Sequence, residues 1–212
     1  MNEKYRYFKE MDRCLMNELR PSEYLNELVK NEKIFREYPF NMLNELENTL
    51  QSPKYHPEGS VWSHTMMVVD NAALRRDLSE NPRAFMWAAL LHDIGKPGTT
   101  RRKGDRVVSY DHDVLGARLA REFLEEFDEN VEFISAVSKL VRWHMQALFV
   151  VKDLPYAKVD KMLREISLEE VALLALCDRL GRGEMTKEKI KNEEDNIDMF
   201  IKKCRKTLEL TC

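Results

Sequence analysis

Residues 88–97 read Ala88-Ala89-Leu90-Leu91-His92-Asp93-Ile94-Gly95-Lys96-Pro97, an apolar run that ends abruptly on an adjacent histidine and aspartate. Upstream, Asn81 and Pro82 have the form of an N-cap and a first helical residue, and downstream Gly95 and Pro97 have the form of a C-cap and a barrier to continuation. His92 and Asp93 are therefore expected on the last turn of a buried helix. The carbonyl end of a helix favours a cation, and imidazole and carboxylate are ligands for a divalent metal. A neighbouring Lys96 is placed to hold an anion. Taken alone, the pair is better explained by ordinary hydrogen bonds at the end of a capped helix, and it is the rest of the chain that reverses this.

The whole sequence suits one domain, or one domain with a helical extension. Its 212 residues are enough for a sizeable core, and 43% hydrophobic and 33% charged residues with only 7 Gly and 7 Pro favour a helix-rich fold. A net charge of -3 argues against broad nonspecific binding to nucleic acid while leaving room for a local basic patch. The four cysteines, Cys14, Cys177, Cys204 and Cys212, have no CxxC spacing and do not form a disulfide framework, which points to a reducing, cytoplasmic setting. Neither a signal peptide nor a membrane-spanning run is evident, so no membrane partner is expected.

Around the central stretch, residues 1–50 have the pattern of short charged helices forming an N-terminal cap, and 184–212, mainly a helix from about Thr186 to Leu208, have that of a C-terminal helix on the core. Residues 51–183 hold the chemistry. Ser60 caps an expected helix to Arg75 or Arg76, in which His64 borders a buried face. Thr99 to Tyr110 fit either a short β-hairpin turning at Lys103-Gly104-Asp105 or an irregular loop. Asp113 has the place of an N-cap for a helix from about 114 to 127, and His112 beside it has no structural role that the sequence explains. From Asn130, a stripe of Phe133, Val137, Leu140 and Val141 continues into His144. The stripe Val171, Leu174, Ala175 ends on Asp178, whose burial costs several kcal/mol, on the order given for an uncompensated charge, unless a cation answers it. Arg179, Arg182 or a metal would do so.

His64, His92, Asp93, His112, His144 and Asp178 thus form a set of oxygen and nitrogen donors without a thiolate. That set suits Mn, Fe, Co, Ni, Zn or Mg rather than a structural zinc, and it is too large for one ordinary site. With Asp93 as a bridge, two divalent ions about 3.5–4 Å apart are accommodated.

The order His64, His92-Asp93, Asp178 on successive helices resembles the HD superfamily of metal-dependent phosphohydrolases. A closer similarity, over roughly residues 22–183, is to the HD region of bacterial CCA-adding tRNA nucleotidyltransferases. It is carried by Tyr55 to Thr65, His92 to Thr99, His112 with Gly116-Ala117, Val141 to His144, and Asp178 to Arg182. The nucleotidyltransferase head and its Gly-Ser and paired-aspartate signature are missing, so CCA addition does not carry over.

The resemblance implies an all-α helical bundle with a metal at its centre. It further implies phosphatase, nucleotidase or 2′,3′-cyclic phosphodiesterase activity on nucleotides, RNA ends or related small phosphoesters through metal-activated water. His64, His92, Asp93 and Asp178 would be the first metal site, and His112 and His144 would join a bridging Asp93 at a second. Asp93 and Lys96 would be the catalytic pair. Lys96, with Arg101, Arg142 and Arg182 as weaker candidates, would contact phosphate. Two other readings stay open: a noncatalytic module binding tRNA or a nucleotide, and a dinucleotide-specific hydrolase. The Gly-Tyr-Pro signature usual in cyclic-dinucleotide enzymes is missing here.

Overall fold

The computed structural model describes residues 2–53 and 55–211, with the side chains of 210 and 211 left aside. Met1, Lys54 and Cys212 lie outside the described residues. The fold is helical, with one two-stranded hairpin. In chain order the helices are α1 (Glu3–Asn17), α2 (Pro21–Asn31), a 3-10 turn (Lys33–Arg36), α3 (Asn41–Asn44), α4 (Val61–Ala73) and a second 3-10 turn (Arg76–Leu78). They continue with α5 (Pro82–Leu91) and α6 (Lys96–Thr99), and then comes the hairpin β1 (Thr100–Lys103) and β2 (Arg106–Ser109). The remainder is α7 (His112–Glu125), α8 (Val131–Trp143), α9 (Gln146–Val151), α10 (Val159–Glu165), α11 (Leu168–Leu180) and α12 (Lys187–Thr211).

Helix α5 is the axis of the bundle because it is apolar all round. Every residue from Ala84 to Leu91 is buried, and helices α1, α4, α8 and α11 pack about it. Its start is fixed locally: the Asn81 side chain accepts from the Ala84 N–H, and Pro82 follows. Residues of the first 50 extend the same core. Phe8 stacks on Trp87 at 4.7 Å and on Phe127 at 4.3 Å, and the Trp87 Nε1–H donates to Asp12 at 2.7 Å. Trp87→Ala is accordingly expected to cost about 3–5 kcal/mol, the range for a fully buried aromatic, which urea denaturation followed by circular dichroism would measure. A second apolar cluster joins Trp143 of α8, Val171 of α11 and Ile197, Phe200 and Cys204 of α12, holding the C-terminal helix on the bundle. No helix among the described residues is long and apolar enough to cross a membrane.

Several local expectations are corrected. Helix α4 stops at Ala73, and Arg76 lies in the following turn, where its guanidinium donates to the Leu15 and Glu18 carbonyls at the end of α1. Asp113 is not an N-cap. That position belongs to Asp111, in the left-handed region at φ 57°, while Asp113 lies inside α7 and pairs with Arg142. Nor does Gly95 cap α5 in a left-handed conformation, since its φ is -81°. A Cβ there would lie 2.1 Å from the His112 carbonyl oxygen and 2.6 Å from the Gly116 amide nitrogen, so glycine is required for the close approach of α7. Pro97, instead of barring a helix, sits in the first turn of α6. The Thr99–Tyr110 segment resolves as a hairpin, with Arg102 opposite Val107 and Gly104 at φ 60° in the turn.

Candidate metal centre

Helix ends build most of the site. His92 follows the last residue of α5, His144 follows the last of α8, and His112 opens α7. In each, the Nδ1 faces the carbonyl three residues earlier: His92 to Ala89 at 2.8 Å, His144 to Val141 at 2.7 Å and His112 to Ser109 at 2.7 Å. The Ala89 and Val141 carbonyls lie in terminal turns, where intrahelical donors run out, so the rings are turned by groups that need a donor. His64, on α4, finds its carbonyl far along the chain, at Gly181, 3.0 Å from its Nδ1. An Nδ1–H donated to a carbonyl leaves the Nε2 lone pair available, the arrangement in which a metal ligand is oriented from behind.

All four Nε2 atoms converge on Asp93. His92 Nε2 is 3.2 Å from its Oδ2 and His64 Nε2 3.8 Å, while His112 and His144 Nε2 lie 3.4 and 3.9 Å from Oδ1. Asp178 enters from α11, with Oδ1 3.0 Å from His64 Nε2. The six residues are 0 to 7% exposed. Although so close, the Nε2 atoms of His64, His92 and His112 and the Oδ2 of Asp93 are not hydrogen-bonded, because their partners lie off the bonding direction. Buried groups of this kind are costly unless something else answers them. Five of the six residues fall into two groups that a cation would satisfy, His64-His92-Asp93 and Asp93-His112-His144, with Asp93 common to both; Asp178 belongs to neither, and a third group, His56-Glu58-His64, shares His64.

Electrostatics point the same way. Burial pushes the Asp93 carboxyl up, but Lys96, then His92 and His112, hold it well below the usual carboxylate range. Asp178 is held down against burial by Arg182 and His64. The His144 imidazole is pushed down to about 4 by burial and then by His112 and His92, so it is neutral near neutral pH.

Residues 61–183, more than half of the chain, match the HD domain. The chain belongs to the HD domain family. Among curated proteins, a multifunctional CCA protein of Aromatoleum aromaticum is 30% identical over 188 residues, covering 85% of this chain and 44% of its own length. That of Halorhodospira halophila is 32% identical over 139 residues, covering 63% of this chain and 32% of its own. One from Actinobacillus pleuropneumoniae is 39% identical over 83 residues, covering 39% of this chain and 20% of its own. The chain therefore spans less than half the length of these relatives, and it resembles their HD region.

The HD centre opens into a pocket of about 430 Å³ whose inner wall carries Asp93, His112, His144 and Asp178. Lys96 lines it with Nζ 2.7 Å from Asp93 Oδ2 and 2.5 Å from Gln51 Oε1, and Arg182 lines it while donating to both Asp178 oxygens at 3.0 and 3.1 Å. The other two arginines expected to contact phosphate are elsewhere. Arg142 is bound to Asp113 and lies over the Trp143 ring, and exposed Arg101 donates to the Thr100 and Gly98 carbonyls. Neither lines the pocket.

Sequence reasoning passed over two residues. His56 lines the pocket, with Nδ1 2.8 Å from Glu58 Oε1, and the same oxygen is 3.1 Å from His64 Nδ1. Burial pushes the Glu58 carboxyl up, but its contacts with His56 and His64 hold it down to about 2. It is thus an anion supporting the rear of His64. The only signal was His56-Pro57-Glu58-Gly59 itself, ending five residues before the helical His64.

Proposed function

We propose that the chain is a metal-dependent phosphohydrolase acting on a nucleotide, a 2′,3′-cyclic nucleotide or a related small phosphoester. The observation that carries this reading is the set of four imidazoles, each oriented by a carbonyl at Nδ1, whose Nε2 atoms converge with Asp93 at the floor of an open pocket. His64, His92, Asp93 and Asp178 would hold one divalent ion; His112 and His144 would hold a second, with Asp93 shared. Such ions, when bound, polarise phosphoryl oxygens and lower the pKa of water. The chain's own residues do the rest. Asp93 and Asp178 supply negative charge that keeps cations in the centre, and the carbonyls of Ala89, Ser109, Val141 and Gly181 fix ring orientation. Lys96, already within 2.7 Å of Asp93, presents a positive charge to the pocket where charge on phosphoryl oxygens increases. Arg182 balances Asp178 and shares that wall. RNA ends belong to the same substrate class. The described cysteines, Cys14, Cys177 and Cys204, are free and buried, which supports a cytoplasmic setting.

The test pairs metal analysis of the purified protein with turnover of p-nitrophenyl esters, nucleoside monophosphates, 2′,3′-cyclic nucleotides and dinucleotides. Turnover that a chelator removes and added metal restores is the expected result. Bound metal with no turnover on any substrate would replace the hydrolase by a nucleotide- or tRNA-binding module. His112→Ala and His144→Ala are each expected to lower the metal content from about two ions to one, read by inductively coupled plasma mass spectrometry. An unchanged count in both variants contradicts the two-ion arrangement.

A further inference from the structure

The hairpin that follows the HD motif is the most basic exposed segment beside the pocket. Arg101, Arg102, Lys103 and Arg106 are all exposed, and Asp105 is the one acid among them. Strand register sorts these cations between two faces. Thr100 pairs with Ser109 and Arg102 with Val107, so these four share one face, confirmed by the 2.7 Å contact between the Thr100 and Ser109 hydroxyls. Arg101, Val108, Lys103 and Arg106 share the other. Val107 and Ser109 both line the pocket. Arg102 is therefore the hairpin cation on the pocket face. Directly opposite Val107, its Cβ is roughly 5 Å from that of a wall residue, and a guanidinium reaches farther than that. It forms no ion pair among the described residues.

Lys152, at the end of α9, is a second cation on the pocket wall that is exposed and has no ion pair among the described residues. Lys96 and Arg182, in contrast, are engaged by Asp93 and Asp178 deep in the pocket. Positive charge thus falls into two pairs: an inner pair held by carboxylates of the metal-ligand set, and an outer pair without an ion pair among the described residues, Lys152 on the pocket wall and Arg102 on the hairpin's pocket face though not itself a lining residue. A single phosphate uses only the inner pair. The pocket, at about 430 Å³, is far larger than one phosphate, and Val107, Met145 and Leu148 add apolar wall to it.

We infer that Arg102 and Lys152 form a second anion subsite, so that the substrate is a nucleotide carrying a further phosphate beyond the one at the metal centre. This rests on the phosphoester-binding part of the proposed function. The further phosphate has two sources with the same chemistry: the adjacent phosphate of a nucleoside diphosphate, or the internucleotide phosphate of a short 5′-phosphorylated RNA.

Titration calorimetry tests the subsite without requiring turnover. The probes are adenosine 5′-monophosphorothioate, α,β-methylene adenosine 5′-diphosphate and the 5′-phosphorylated dinucleotide pApA, each added to metal-loaded protein. Wild type is expected to bind at least one of the last two about tenfold more tightly than the first, as one or two partly exposed charge-assisted contacts provide. Which of the two prevails identifies the source. Arg102→Ala and Lys152→Ala should each bring the ratio close to one, and Arg102→Lys should restore part of it. Arg101→Ala, one residue away on the opposite face, should leave it unchanged. A ratio near one in wild type, an unaltered ratio in Arg102→Ala, or an equal loss in Arg101→Ala would overturn the inference. A preserved binding preference in a protein that hydrolyses nothing would instead remove the hydrolase reading alone.

Discussion

Asp93→Ala is expected to remove turnover by at least about a thousandfold and to strip the protein of bound metal. The carboxylate is common to both donor groups, and its two oxygens lie 3.2 to 3.9 Å from four imidazole nitrogens. Removing it takes away the ligand that two ions would share and much of the charge that attracts cations, leaving four imidazoles and Lys96 facing one another with Asp178, and Glu58 behind His64, to answer them. An effect of this size matches the loss of the metal's contribution to both polarisation and water activation. Three measurements check it: metal content, turnover at saturating metal, and thermal unfolding with and without added metal. Metal that stabilises wild type and not the variant locates binding at Asp93 by linkage, since only a ligand of the native state raises its stability. Full turnover in Asp93→Ala would sink the assigned centre.

The second large effect is structural. Gly95→Ala places a methyl group 2.1 Å from the His112 carbonyl oxygen and 2.6 Å from the Gly116 amide nitrogen. Both obstacles are backbone, so no side-chain rotation relieves the clash, and α7 must move away from the end of α5. The expected loss is about 3 kcal/mol or more, above ordinary overpacking because the backbone has to yield. Moving the start of α7 also displaces His112. Urea denaturation reads the first consequence and metal stoichiometry the second. Gly104→Ala is the control: a Cβ there meets nothing within 4 Å, although φ is 60°. A modest cost at Gly104 and a severe one at Gly95 separates close packing from backbone conformation as the reason for glycine.

Much of the centre was legible because its parts are local. His92 and His144 stand at the ends of apolar helices, and His112 at the start of another; each is turned by a carbonyl three residues back. An amphipathic stripe that runs into a histidine is visible in one dimension, as is an apolar stripe that ends on Asp178. The hairpin was visible only as an even alternative to a loop, because four residues per strand with weak alternation do not specify pairing. In the fold β2 packs on α6, and its Ser109 carbonyl faces His112 at the start of α7.

The sequence by itself determined which donors the chain carries, that their helices are buried, and that no thiolate is among them. Tertiary structure decided which of them meet. His64 receives its orienting carbonyl from Gly181, 117 residues away, at a place where a Cβ on Gly181 would lie 2.6 Å from Val68. Glu58 and His56 join the centre only because their loop folds back onto α4. Arg142 follows the same logic in reverse: two residues before His144 in the sequence, it is engaged by Asp113 and leaves the pocket wall to Lys96 and Arg182. Helix periodicity sets a side chain's direction relative to its own axis, whereas convergence depends on how separate axes pack, and that is settled by contacts between residues far apart in the chain.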